Sequence, residues 1–209
     1  MPQFAHHWFY EFMTLLVVLD PIATVPLFMA VTIGLDRKDS AKVALYAIGT
    51  SFAILLFFIV FGQLLLDALK IPMASFQLAG SLLFLVMGIQ MATGRLSEGE
   101  ASHPQGASLF SRAVYPLATP GIAGGGGILT VVLLTDNDTR SIGEQISTAF
   151  VLAACLCTHL VSFLGAQQLL RWLGTTGIHV ISRVSGLILT SIAVNGIIIA
   201  IKISFGLHG

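Results

Sequence analysis

Ala53-Ile54-Leu55-Leu56-Phe57-Phe58-Ile59-Val60-Phe61 is nine residues without a polar side chain. A strand of a membrane barrel would alternate apolar and polar positions over about ten residues. This run does not alternate, so it reads as helix. It lies inside an uncharged window, residues 43–66, bounded by Lys42 and Asp67. Its 24 residues exceed the roughly 20 that a helix needs to cross a bilayer. Three more uncharged windows follow, 71–94, 113–135 and 145–170, holding 24, 23 and 26 residues. Two apolar stretches complete the set: 12–35, interrupted only by Asp20, and 184–201, bounded by Arg183 and Lys202. The chain is therefore expected to be all-α and polytopic, with six transmembrane helices.

Composition agrees. Across 209 residues, charged side chains make up 10% and hydrophobic ones 56%, and the mean hydropathy is +0.91. Soluble domains carry about 25% charge, so too little polar surface is present to cover a water-soluble fold of this size. Ten basic and ten acidic residues balance, which leaves no field for nucleic acid. The first ten residues hold no Lys or Arg, and the apolar stretch outlasts a leader's, so the amino terminus is expected to be a span rather than a signal peptide.

The connectors carry helix punctuation. Asp36-Arg37-Lys38-Asp39-Ser40 supplies a cap for the second span, residues 67–72 form a tight turn, and Asp136-Asn137-Asp138-Thr139 caps the fifth. Residues 95–112 form the longest connector, dividing a first three-helix unit (1–94) from a second (113–209). One face of the six-span arrangement holds Arg37, Lys38, Lys42, Arg95, Arg112 and Arg171, and the other Lys70, Arg140 and Lys202. The richer face is expected to be cytoplasmic, which puts both termini outside.

The two units resemble each other. Each opens on a Pro- or Gly-rich interruption, Asp20-Pro21-Ile22-Ala23-Thr24-Val25-Pro26 and Thr119-Pro120-Gly121-Ile122-Ala123-Gly124-Gly125-Gly126-Gly127. Each has a Gln-containing span end, Gln63-Leu64-Leu65-Leu66 and Gln167-Gln168-Leu169-Leu170, and a third span with Gly80 or Gly186 near its start. A repeat of three spans must insert the second copy upside down, the inverted-repeat plan of many secondary transporters.

The interruptions carry the chemistry. Pro21 and Pro26 each remove an N–H and clash one turn back, so the first span breaks. Carbonyls freed there, with Asp20 and Thr24, suit a cation or an ammonium group. At the second interruption, after Thr119 and Pro120, Gly121, Gly124, Gly125, Gly126 and Gly127 permit close approach and positive φ, and expose N–H groups that suit a carboxylate. Close helix packing by small residues is the competing explanation. Asp20 reads as the one acid deep in a span, either carrying a proton or capping the half-helix after it. Arg183 would pair with Asp20 or a substrate carboxylate, or else snorkel to the interface. Gln77, Gln90 and Asn195 are polar span residues, suited to interhelical hydrogen bonds or to substrate contact. Cys155 and His159 share a helix face, but Cys157 points elsewhere and no fourth ligand is near, so His159 reads as a buried, hydrogen-bonded residue and no metal is expected. No Gly-Lys-Ser/Thr follows the glycine run, so it is not a nucleotide loop.

Residues 20–28 (Asp-Pro-Ile-Ala-Thr-Val-Pro-Leu-Phe), Phe76-Gln77-Leu78-Ala79-Gly80, residues 116–126 and Ile181-Ser182-Arg183-Val184-Ser185-Gly186-Leu187 resemble the MarC family, in order and essentially end to end. The resemblance implies a bacterial or archaeal inner-membrane, multi-pass protein related to LysE-type exporters, of a group some members of which move glycine, alanine and similar amino acids. The family usually has a proline within Ala123-Gly124-Gly125-Gly126, which is missing here.

The expected function is secondary transport of small neutral amino acids by alternating access between the two halves. Asp20 and the 21–26 break would take the ammonium or a coupling ion, H+ or Na+, and the 119–127 break the carboxylate. No other cofactor and no catalytic activity are expected. The partners are the substrate and the bilayer, with a homo-oligomer compatible with the small-residue faces. A non-transporting assembly or sensor component is the alternative, followed by an enzyme acting on lipid-linked substrates.

Overall fold

The computed structural model describes residues 2–22, 24–32, 34–94, 108–135 and 142–206. Among the described residues every regular element is helical. In chain order these are α1 (Pro2–Leu19), α2 (Val25–Val31), α3 (Arg37–Ala68), α4 (Met73–Thr93), α5 (Leu109–Ile122), α6 (Gly125–Leu134), α7 (Ile142–Leu164) and α8 (Ala166–Ser204).

Four helices are long and apolar enough to cross a membrane: Arg37–Ala68, Met73–Thr93, Gly143–Leu164 and Gly186–Ser204. A fifth crossing results if α5 and α6, bent by 57° at their junction, act as one span. The described residues thus yield four to five candidate spans where the charge windows predict six. The difference lies in the stretch 12–35, which divides at Asp20 into the short apolar helix Trp8–Leu19 and the seven-residue α2.

α3 shows how the pattern becomes structure. Asp36 caps it, accepting from the Asp39 N–H at 2.7 Å, and Lys42 pairs with Asp39 at 2.8 Å in the first turns. Val43, Ala47, Ser51, Leu55, Ile59, Gly62 and Leu66 form its buried stripe, while Leu45, Phe57, Val60, Phe61 and Leu64 are exposed on the other side. So large an apolar face is an anomaly in water and the ordinary outer surface of a protein in lipid.

Elements of the two halves pack crosswise. α3 packs on α7, α4 on α8, and the α1–α2 region on α5 and α6. The α4–α8 seam is the tightest. A Cβ added at Gly186 would lie 2.5 Å from the Ala92 backbone nitrogen and 2.8 Å from the Gly88 carbonyl, and one at Gly88 would lie 2.5 Å from Thr190 Oγ1. Such glycines let two backbones touch, the small-residue packing common between membrane helices. α8 turns sharply at Gly174 (φ 65°, ψ 171°), so its apolar crossing part begins well beyond that residue.

The predicted caps at 136–139 and most of the 95–112 connector lie outside the described residues. So do Arg95 and Arg140, two of the charges used to orient the chain. The described residues resume at Ser108, whose side chain accepts from the Ser111 N–H at 3.1 Å.

Candidate functional site

The first break begins where Pro21 cannot donate. Asp20 still closes a helical bond to Leu16 at 3.0 Å, but its own φ is +43°; the Thr24 N–H returns to the Asp20 carbonyl at 3.3 Å, and the Phe28 N–H reaches the Thr24 carbonyl at 3.0 Å as α2 begins. Pro26 falls in the first turn of α2, where a missing N–H breaks no helical bond. Side chains also reach the carbonyls around the break. The buried Thr24 hydroxyl lies 3.3 Å from the Asp20 carbonyl and 3.2 Å from that of Pro21. The Leu19 carbonyl is 3.1 Å from His159 Nε2, which reaches across from α7 and is wholly buried. Asp20 follows Leu19 directly in the chain, beside this contact.

The second break has another cause. The residue before a proline is pushed into extended geometry. Tyr115 (φ −125°, ψ 131°) and Thr119 (φ −133°, ψ 122°) obey this ahead of Pro116 and Pro120, and both bonds to proline are cis. Wide turns replace α geometry across Ala113–Ile122, with the Ala123 N–H donating to the Ala118 carbonyl at 2.7 Å. Gly124 is extended (φ −81°, ψ 178°) and opens α6 without a side-chain cap.

Here one expectation is corrected. None of Gly121 or residues 124–127 takes a positive φ. These positions are glycine because neighbours fill the space a side chain would use. A Cβ at Gly125 would meet Leu83 Cδ1 at 2.5 Å, one at Gly127 would meet Leu19 at 2.9 Å, and one at Gly121 the Pro116 carbonyl at 2.9 Å and Leu27 at 3.0 Å. At Gly126 it would enter the Phe84 ring, and at Gly124 it would overlap the Pro120 carbonyl. Through Leu19 and Leu27 the two breaks press on each other.

Between α4 and the second break lies a cavity of about 240 Å³. α4 lines it with Leu83, Phe84, Val86, Met87 and Gln90, and the break with Pro120, Gly121, Gly124, Gly125 and Gly126. The first turn of α6 opens at this wall, where N–H groups have no carbonyl one turn back and the helix dipole favours an anion. The cavity's volume lies below the roughly 300–1,000 Å³ typical of drug-sized pockets.

Of the residues singled out from sequence, Pro120, Gly121, Gly124 and Gly125 share this cavity, and Thr119 is exposed just before it. Asp20, Pro21 and Thr24 sit together at the first break, where Pro21 and Thr24 are buried. The Pro26 side chain lies outside the described residues. Arg183 is exposed at another place: a Cβ at Gly94, the αL residue ending α4, would lie 3.4 Å from its Nη2. Asn195 is exposed on α8, and neither residue is in the cavity lining. Cys155 is buried and Cys157 exposed, and among the described residues no three His, Cys, Asp or Glu cluster to hold a metal.

Sequence reasoning missed two things. The cavity wall from α4 was not anticipated, although Gln90 had been noted as a polar span residue. Glu11 was missed as well. It is wholly buried, and the Thr148 hydroxyl lies 3.2 Å from its Oε1 and 3.3 Å from its Oε2. Asp20 is therefore not the one acid inside the helices. The apolar window begins at 12, but α1 begins at Pro2, and this places Glu11 at mid-helix.

The MarC family signature, described as "MarC family integral membrane protein", matches residues 5–205. A UPF0056 membrane protein of Pyrococcus horikoshii is 35% identical over 190 residues, covering 91% of this chain and 92% of the relative. Another from Methanocaldococcus jannaschii is 30% identical over 197 residues, with 91% and 94% coverage. The UPF0056 membrane protein YhcE of Escherichia coli is 32% identical over 200 residues, with 93% and 92% coverage. No solved structure matches.

Proposed function

The chain belongs to the MarC family of integral membrane proteins, and on that premise we propose that it is an inner-membrane secondary transporter of small neutral amino acids of the glycine and alanine type. In this reading α1 with α2, and α5 with α6, each count as one broken span, giving six spans in two inverted repeats with both termini outside. The crosswise packing of α3 on α7 and α4 on α8 supports it, because equivalent helices meet across the pseudo-twofold axis of such a repeat.

The observation that carries the proposal is the cavity at the second break. Its break wall is backbone, its α4 wall is apolar apart from Gln90, and its size suits a ligand of few atoms. The substrate carboxylate would lie against the first N–H groups of α6, with Gln90 offering a hydrogen bond and Phe84 and Met87 receiving a small side chain. Asp20 would serve the ammonium or the coupling ion, H+ or Na+.

Purified protein in liposomes, loaded with radiolabelled alanine or glycine under a proton or sodium gradient, tests this. The expected result is flux above protein-free vesicles, abolished by Gly124→Leu and by Asp20→Leu. Flux no greater than that of empty vesicles for both amino acids under both gradients overturns it.

A further inference from the structure

His159 lies between two carbonyl oxygens, with Nε2 3.1 Å from that of Leu19 and Nδ1 3.3 Å from that of Cys155. Carbonyls only accept, and a neutral imidazole has one N–H, so one tautomer can satisfy one contact. With the proton on Nε2, the ring donates to Leu19 and turns the Nδ1 lone pair toward the Cys155 oxygen. That oxygen already receives the Thr158 hydroxyl at 2.6 Å. A second proton turns the opposed lone pairs into a donor and an acceptor. The cradle is thus complementary to imidazolium.

A buried cation is costly without a counter-charge, and Asp20, the residue after Leu19, is the acid next in the chain to this contact. We propose that His159 and Asp20 form one proton-binding pair across the α1–α7 contact at the first break, with the proton as its ligand. Binding the proton completes the cradle around the ring, because both ring nitrogens then donate to the carbonyls they face. It also ties the Leu19 carbonyl, the last before the break, to α7 through a charged rather than a neutral hydrogen bond, which is roughly twice as strong.

Among the described residues hydrogen-bonded to the ring or packed edge-on against it, Cys155 alone bears another titratable side chain. α2 meets the ring through Phe163, which stacks on Phe28 at 4.5 Å and lies edge-on to His159 at 6.2 Å. Its own helix brings Cys155 and Thr158. Glu11 lies on the same α1–α7 seam but at Thr148, about three helical turns from His159.

The test takes the full chain in detergent with the other five histidines, His6, His7, His103, His179 and His208, replaced by Gln, so that His159 gives the one ring signal in nitrogen-15 NMR. Expected is a change from one tautomer to the doubly protonated ring between pH 4 and 9, with a midpoint displaced by about one pH unit or more in Asp20→Asn. A ring that keeps one tautomer throughout, or a midpoint indifferent to Asp20→Asn, overturns the proposal. Hydrogen–deuterium exchange over residues 20–25 of the unsubstituted protein is a second reading that needs no variant. Expected is a pH dependence beyond the intrinsic chemical rate, and its absence overturns the proposal. Neither measurement involves an amino acid, so the proton pair and the transport reading stand or fall separately.

Discussion

The two helix breaks solve the same problem by opposite means. At the first, side chains reach the backbone carbonyls around the break: Thr24 locally, His159 from α7. At the second, prolines force Tyr115 and Thr119 extended, and neighbours press in where side chains are missing. One break is closed by added polar groups. The other is left open by removed ones, with a cavity beside it. Residues at the first are therefore already committed within the protein, whereas α6 begins with backbone donors facing a space.

Substitutions that fill the second break should have the largest effect. Gly126→Ala places a methyl in the Phe84 ring and is expected to destabilise by about 1–3 kcal/mol, seen as earlier thermal unfolding in detergent. Adding Phe84→Leu should recover part of this, and purely additive losses would show that the two positions do not touch. Next comes His159→Ala, which leaves the Leu19 carbonyl buried without its partner and is expected to lose about 1–2 kcal/mol, with His159→Gln recovering some of it. Thr24→Val removes a hydroxyl shared between two nearby carbonyls, and about 0.5–1 kcal/mol is expected, as for a typical single hydrogen bond. The smallest stability change belongs to Gln90→Leu, which is exposed and should stay within about 0.5 kcal/mol. Its effect should appear in ligand binding instead, as a reduced thermal shift with alanine. If Gln90→Leu unfolds the protein while Gly126→Ala does not, the contrast between the breaks is wrong.

Both breaks were legible in the chain because their cause is local. A proline acts on its own N–H and on the residue before it, and these effects are written in Pro21, Pro116 and Pro120. What met the breaks was not legible. His159 reaches Leu19 across 140 residues of sequence, and Leu83 and Phe84 reach the glycines from another helix. A glycine run looks the same whether it serves positive φ or close approach, and here only the neighbours decide. Glu11 was hidden by the span boundary itself, since a window of apolar residues marks what lipid tolerates and α1 continues beyond it.

The α4–α8 seam has a mechanical consequence. With glycine at the contact, no flexible side chain separates the two backbones, so sliding one past the other would drive Thr190 and the Met91 side chain into atoms already in contact. α4 comes from the first half of the chain and α8 from the second. A rigid rocking of one whole half on the other would tear this seam open. In a transport cycle of the kind proposed, the paired third helices would stay together and movement would fall to the segments around Asp20 and Gly124.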